Sequence, residues 1–492
     1  MQRASATFPC GRWSATRVRV PPRRLASLVS AALLACATPA AADVVVGRNA
    51  RTAVALTIYS GQDLALVRET RTADLGSGDV TLRFDDVAAR LDPRTVMLQS
   101  TDDAASLAVL EQSYLYDLSS PQALLERWVG RGIELVDTDT RLRTRVTQGT
   151  LLSTDGGNTY RIGDRIAVGH PGWLMLPPPG DEVFTRPTLR WRLANTGSPR
   201  RTLDVSYATG GLSWAADYVL VLGADDGHAD LTAWATLTNG SGAGYDDAAI
   251  VLVAGDVHRA GPPGFAMAAR MDAKAAAAPP SPAPEAFAES YRYAFERHAS
   301  LAENETKQLP LLAVRDLGVT TRYELRSDGW WMRQAMPSAD RRAPVSVLLD
   351  VPNTTANHLG RDLPAGVVRV FQSDASGARQ LIGEDRLRQT ANDETAVLEL
   401  GRAAGVVATR VQTDWHKVNV EPFEAESAYE VTLRNQKTVP ITVAVRDRID
   451  GDWQVLESTL PSRKEDARTL AFDVPVPAGG EAVLRYRVRV GR

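Results

Sequence analysis

Apolar and polar residues alternate with a period of two along most of the chain from Val54 onward. That is the period of a strand with one face buried and the other in water. Leu189, Trp191 and Leu193 alternate with Arg190 and Arg192, and Leu203, Val205 and Tyr207 with Asp204 and Ser206. Near the end, Tyr429-Val431-Leu433, Ile441-Val443-Val445, Trp453-Val455 and Leu484-Tyr486-Val488-Val490 each supply one apolar face. Short strands separated by turn residues every 8–12 positions or so pack as pairs of antiparallel sheets. The expected fold is mainly β, a multi-domain set of antiparallel β-sandwiches with one short helix and a small barrel, and without a repeat of fixed period.

The helix and barrel fall at 113–180. Ser120 can cap a helix that opens with Pro121, buries Leu124, Leu125 and Trp128, and stops at Gly130 and Gly132. A tight meander follows, with Asp155-Gly156-Gly157-Asn158 as a hairpin turn, and it ends at Pro177-Pro178-Pro179. Helix plus meander predicts a small SH3- or Sm-like barrel. Such barrels elsewhere bind RNA, but fold does not imply function, and no basic patch supports nucleic acid here. Around it lie an N-terminal β unit at 43–112, a central β domain at 181–425 and a C-terminal Ig-like sandwich at 426–492. Gly261 to Pro284 is rich in alanine and proline and cannot bury enough apolar surface to order itself, so 261–290 reads as a disordered insertion.

Residues 1–42 read as a targeting segment. They hold six arginines and no acid before the apolar run Leu25 to Ala37, and Ala40 and Ala42 precede Asp43. A positive stretch, a short apolar stretch and small residues describe a secretory signal peptide cleaved between Ala42 and Asp43. The run is too short to span a bilayer, which takes about 20 residues, and nothing later reaches that length uncharged. Leu33-Leu34-Ala35-Cys36 resembles a lipoprotein box, so an outer-membrane-associated lipoprotein acylated at Cys36 is an alternative. The 51 arginines against five lysines fit a GC-rich bacterial genome. The expected location is periplasmic or secreted. Cleavage shifts the formal charge from −3 to −9 and removes both cysteines, Cys10 and Cys36, so neither disulfides nor thiol chemistry remain.

The mature chain shows no constellation with catalytic spacing. His170, His228, His258, His298, His358 and His416 are scattered. Their nearest acidic neighbours, Asp256 by His258 and Asp414 by His416, would share a face on a strand, but such pairs are common by chance, so no metal is expected. Ser213 lacks the glycine pattern of a nucleophile elbow, and Gly210-Gly211 with Trp214 and Tyr218 reads as a tight turn over a plugged core. Asp85-Asp86, Asp225-Asp226 and Asp246-Asp247 would point to opposite faces of a strand, which suits turns better than an acid–base pair. No phosphate loop or dinucleotide fingerprint occurs, and no cofactor is expected. Two binding candidates remain. Trp330-Trp331 beside Ser327-Asp328-Gly329 would expose one ring if they sit on a strand, although one ring in the core and one at a domain junction is the simpler reading. Arg485, Arg487 and Arg489 line one face of the last strand, as a solvated edge stripe or as a contact for anionic glycan or lipid.

Several segments resemble a family of exported bacterial proteins, domain of unknown function 4139, some of whose members are described as mucoidy-inhibitor-like. Ile58-Tyr59-Ser60-Gly61-Gln62-Asp63-Leu64 resembles its opening, and Gly210-Gly211-Leu212-Ser213-Trp214-Ala215-Ala216-Asp217-Tyr218 its most specific motif. Leu237-Thr238-Asn239, Ala254-Gly255-Asp256-Val257 and Asn304-Glu305-Thr306-Lys307-Gln308 resemble its middle. Leu363-Pro364-Ala365-Gly366 and Gly383-Glu384-Asp385 resemble its later half. The resemblance implies no settled activity. Relatives often carry a histidine where this chain has Gln389 before Thr390, and Ala-Phe-Asp where it has Ala403-Ala404-Gly405, so a site built on those groups would be absent. The function expected is a non-catalytic envelope binding or structural factor, with an envelope glycan or envelope protein as partner. The alternative is an envelope hydrolase whose carboxylates meet between domains.

Overall fold

The alternating pattern is realised in six sheets. The computed structural model describes residues 43–492 except 117–119, 139–142, 171, 179–182, 256–284, 288–289, 337–340, 374–376, 422 and 492. The proposed signal segment with Ala42, and most of the Ala/Pro-rich insertion, therefore lie outside the described residues; Asp43 is the first described and is exposed.

A four-stranded sheet joins Val44–Val46, Gly78–Asp85, Thr188–Asn195 and Leu107–Leu115, and an eight-stranded one centres on Tyr245–Ala254, Arg51–Tyr59, Ala65–Asp74 and Arg200–Thr209. A five-stranded sheet orders Thr306–Gly318, His228–Asn239, Leu212–Leu222, Gly366–Ser373 and Arg379–Leu387. Their inward positions, among them Leu82, Trp191, Leu56, Tyr207, Tyr218 and Val370, form one continuous core. The N-terminal unit at 43–112 does not stand alone, because its strands pair with 188–195, 200–209 and 245–254.

The motif at Gly210 is a turn over a plugged core. Gly211 takes φ +81, and a Cβ there would meet the Gly240 carbonyl oxygen at 2.4 Å, so only glycine fits without a shift. Trp214 and Tyr218 are buried; the Trp214 indole donates to the Val253 carbonyl (3.2 Å), and the Tyr218 hydroxyl to that of Pro364 (2.7 Å). The second bond ties this motif to Leu363-Pro364-Ala365-Gly366. Gly366 lets the strands run parallel in contact, since a Cβ there would lie 2.2 Å from the Ala216 carbonyl oxygen.

The C-terminal part is a sandwich of two sheets. One orders Thr395–Arg402, Ser346–Pro352, Thr320–Ser327, Ile441–Arg448, Thr469–Val476 and Arg463–Asp466; the other orders Arg341–Ala343, Val406–Asn419, Glu424–Asn435, Glu481–Gly491 and Trp453–Ser458. Its core takes Leu325, Met332, Val345, Val406 and Ala408 along with residues after 426. The sandwich expected at 426–492 thus draws essential strands from about a hundred residues upstream. Leu349, Val351, Ala396 and Leu398 of the six-stranded sheet belong instead to the large core, so that sheet is shared between two cores.

The helix forms at Pro121–Trp128, with the Ser120 hydroxyl accepting from the Ala123 amide at 3.0 Å. The meander after it is not a closed barrel. It is an open sheet ordered Arg165–Val168, Thr159–Ile162, Thr144–Ser153, Gly132–Thr138 and Trp173–Met175, whose two edge strands do not pair. Trp128 packs on Ile133, Leu135, Leu151 and Tyr160, and so covers one face. Strands also resume inside the expected insertion, where Glu285–Phe287 pairs with Ser290–Ala294. No helix among the described residues is long and apolar enough to cross a membrane.

Candidate functional site

The six-stranded sheet buries one face in the sandwich and turns the other outward, and the same period of two that points Leu325, Val443 and Val445 inward points charge out. Arg322, Glu324 and Arg326 leave one strand, Arg446 and Arg448 its parallel neighbour. With Thr395–Arg402 and the segment Asp385 to Thr390, they line a groove of about 1170 Å³.

Glu324, 4% exposed, organises the floor. It takes ion pairs from Arg446, from Arg326 at 2.5 Å and from Arg322 at 3.7 Å. Arg446 also grips Glu465 with two bonds, Nε to Oε2 at 2.6 Å and Nη2 to Oε1 at 3.0 Å. Arg322 is held by Asp350. Such bidentate pairs fix both partners in orientation. The Arg446 guanidinium holds the Glu465 carboxyl below its ordinary 4.5. The Arg468 amide and Thr469 hydroxyl do the same for Asp466, below its ordinary 3.8. Asp385 accepts from the Glu399 amide at 2.7 Å, which ties the groove wall to its floor.

Arg386 and Arg388 differ. Both line the groove, and neither has an ion pair among the described residues. Gln389 lines it too, at the position where the resemblance expected a histidine. Ala403-Ala404-Gly405 does not line it; it forms a turn bonded to Val345 and Gln436. None of the groove arginines stood out in the sequence, because an Arg-x-Glu-x-Arg strand reads as an ordinary solvated face until its neighbours are known.

The nominated candidates fall elsewhere. Trp330 and Trp331 are not on a strand but in a single turn of 3₁₀-helix, Trp330–Arg333, and their side chains lie outside the described residues. The arginine stripe is paired throughout by the neighbouring strands. Arg485 bonds Glu430 at 2.7 Å, Arg487 bonds Asp414 at 2.8 Å, and Arg489 bonds Glu426 at 2.6 Å. Sheet-face neutralisation accounts for these residues, which leaves no bare cationic stripe for lipid. His416 stands 3.6 Å from Asp414 and 3.3 Å from Glu426, both already held by arginines, and His258 and Asp256 lie outside the described residues. Among the described residues no three His, Cys, Asp or Glu side chains are placed to hold a metal ion. The carboxyl that burial pushes upward, Asp362, is 1% exposed and accepts from the Asn392 amide at 3.3 Å, sealed from any substrate.

The lowered carboxyls make a checkable statement about pH. A group whose pKa falls on folding stabilises the fold above its unfolded value, and that contribution is lost as the pH drops through the folded one. The groove floor is therefore expected to be indifferent to pH between about 8 and 5 and to weaken below the ordinary Glu465 and Asp466 values of 4.5 and 3.8. Urea titrations across that range check it, and Glu465→Gln should flatten part of the acid limb.

A model of the family described as Domain of unknown function (DUF4139) matches residues 203–491, the stretch that contains every residue of the groove. No curated protein matches the chain.

Proposed function

We propose, from the premise that this chain belongs to the DUF4139 family, that it is a non-catalytic binding protein of the bacterial envelope, and that its groove holds an anionic, extended glycan. The observation that carries this is the pairing state of the groove. Of its seven lining carboxylates, Glu324, Asp385, Glu394, Glu399, Glu465 and Asp466 are engaged by arginines, backbone amides or hydroxyls, which leaves Asp328 open among the described residues against two open arginines, Arg386 and Arg388, that stand together on the wall without ion pairs. A guanidinium presents a planar fork that fits a carboxylate with two parallel bonds. Two of them, two residues apart, suit successive acidic sugars.

The same geometry speaks for binding over turnover. A general acid needs a carboxyl held above its ordinary range within reach of substrate. Glu465 and Asp466 are held below it. The arginine-rich, acid-free N-terminus supports the envelope location.

Calorimetric titration of the chain from Asp43 onward with polygalacturonate, against neutral dextran, tests the reading. Binding should appear with the acidic polymer, weaken with salt as screening demands, and fall at least about tenfold in the Arg386→Ala/Arg388→Ala variant, the worth of one charge-assisted pair. Equal affinity for dextran, or no binding, would overturn the glycan assignment, and release of reducing ends would overturn the non-catalytic one.

A further inference from the structure

Two edge strands meet at the groove. Arg379–Leu387 ends the five-stranded sheet and Thr395–Arg402 ends the six-stranded one, and no ladder joins them among the described residues. An edge strand leaves backbone amides without partners, and here one side chain supplies the missing acceptor. Asp385 takes the Glu399 amide on Oδ2 and the amide of its own neighbour, Arg386, on Oδ1, both at 2.7 Å. The strands approach closely because Gly383 has no side chain. A Cβ there would lie 2.8 Å from the Leu400 Cα and 2.9 Å from its carbonyl oxygen. Leu400 is the residue that the ladder to Ser346–Pro352 skips, a bulge in the strand that Gly383 faces.

Glu384, between these two residues, points to the opposite face of its strand. It ends a chain of polar contacts that crosses all five strands of its own sheet. Glu384 pairs with Arg369 at 3.0 Å, and Arg369 bonds Asp217 at 3.2 Å. The Thr236 hydroxyl donates to Asp217 at 2.6 Å, and the Gln308 side-chain amide donates to Thr236 at 3.0 Å. The strand is thus pinned to its own sheet through one face and to the groove floor along its edge. Arg386 and Arg388 follow directly.

We propose that Asp385 is the positioning residue of the groove: it fixes Arg386 and Arg388 against the floor so that both engage one extended anionic chain. This role rests on the groove's being a glycan site. Arginines on a loose edge must be ordered by the ligand, at an entropic cost that a fixed edge removes. The effect depends on ligand length. A polymer that spans both arginines gains from their fixed separation, whereas a single acidic sugar engages one guanidinium and gains nothing.

In the chain from Asp43 onward, Asp385→Ala should weaken calorimetric binding of polygalacturonate at least about fivefold. Binding of monomeric galacturonate, followed by NMR titration, should stay within about twofold. A variant that had merely lost stability would weaken both alike. Asp385→Asn keeps an acceptor for the Glu399 amide and should restore the polymer to within about twofold. Circular dichroism checks each fold. A second measurement needs no ligand. The chain from Asp43 onward has no cysteine, so spin labels at Leu381→Cys and Lys464→Cys report the wall alone. Both positions are exposed and lie on opposite sides of the floor, across about 24 Å of sheet. Their distance distribution should broaden in Asp385→Ala and not in Arg386→Ala/Arg388→Ala. An unchanged distribution in Asp385→Ala would overturn the positioning role, as would normal polymer binding by that variant or an asparagine variant that behaves as the alanine one. Failure of the parent chain to bind polygalacturonate would overturn the glycan reading instead, and the labels would still decide whether Asp385 fixes the wall.

Discussion

Asp447→Ala is expected to cost the C-terminal sandwich about 3–5 kcal/mol, the penalty for stranding a buried charge without its partner. Asp447 leaves the six-stranded sheet and Arg410 the facing one, and the two meet in the core at 2.8 Å. The Tyr486 hydroxyl donates to the second carboxylate oxygen at 2.5 Å. Burial opposes the Arg410 charge, but Asp447 and its surroundings outweigh that and leave the guanidinium above its ordinary value. Burial, then the Asp447 charge, push the Tyr486 hydroxyl far up, so it stays a donor. Hydrogen exchange in Glu424–Asn435 and Glu481–Gly491 would report this sandwich apart from the rest. Replacing the whole set, Arg410→Met/Asp447→Leu/Tyr486→Phe, should recover most of the loss, because no charge is then left unpaired. A triple variant as weak as Asp447→Ala would refute that account.

Asn239→Ala is the second large effect, about 3 kcal/mol, from leaving several buried backbone groups without partners. The Asn239 amide donates to the carbonyls of Ala243 (2.8 Å), Ala302 (2.9 Å) and Leu301 (3.4 Å), and its oxygen accepts from the Ser241 amide at 3.1 Å. One side chain thus closes two loops at the end of its strand. Asn239→Asp should be no better, since it keeps the acceptor but turns a carboxylate toward carbonyl oxygens. Thermal melting of both variants checks this; an aspartate that rescues would show that the donor bonds carry nothing.

The same device closes three other strands. Asn353 donates to Arg361 and Ala391, both at 2.7 Å; Asn435 to Val439 at 2.8 Å and Pro477 at 3.0 Å; Asn195 to Ser198 at 3.0 Å. Each asparagine stands two residues after a buried apolar one: Leu193, Leu237, Val351 and Leu433. This recurrence is present in the sequence, but its spacing is irregular, so a search for a fixed period passes over it.

What the sequence showed reliably was which residues face inward, because the period of two is local. The turn at Gly210-Gly211 and the cap at Ser120 were legible for the same reason. Strand partnership was not. The expected boundary before residue 426 failed because Thr320–Ser327 pairs with Ile441–Arg448, a choice that no local pattern encodes. The groove was hidden for that reason, since Glu324 gains a partner only once Arg446 lies beside it on the neighbouring strand. The arginine stripe was seen, but not the acids that neutralise it, Glu426 and Glu430 on the adjacent strand and Asp414 on the one beyond. The barrel expectation placed four of the five strands, missed Trp173–Met175, and misjudged closure, which depends on whether Arg165–Val168 and Trp173–Met175 reach one another.

The long-range pairing also sets a timetable. Arg51–Tyr59 waits for Tyr245–Ala254, Leu212–Leu222 for Gly366–Ser373, and Thr320–Ser327 for Ile441–Arg448. Closing such loops costs entropy before any contact repays it, and chains of high contact order fold slowly. The first two hundred residues emerging from a ribosome can complete neither large sheet. The four-stranded sheet and the small open sheet do lie wholly within that stretch, so they can close first and leave the eight- and six-stranded sheets with unpaired edges until partners far downstream arrive.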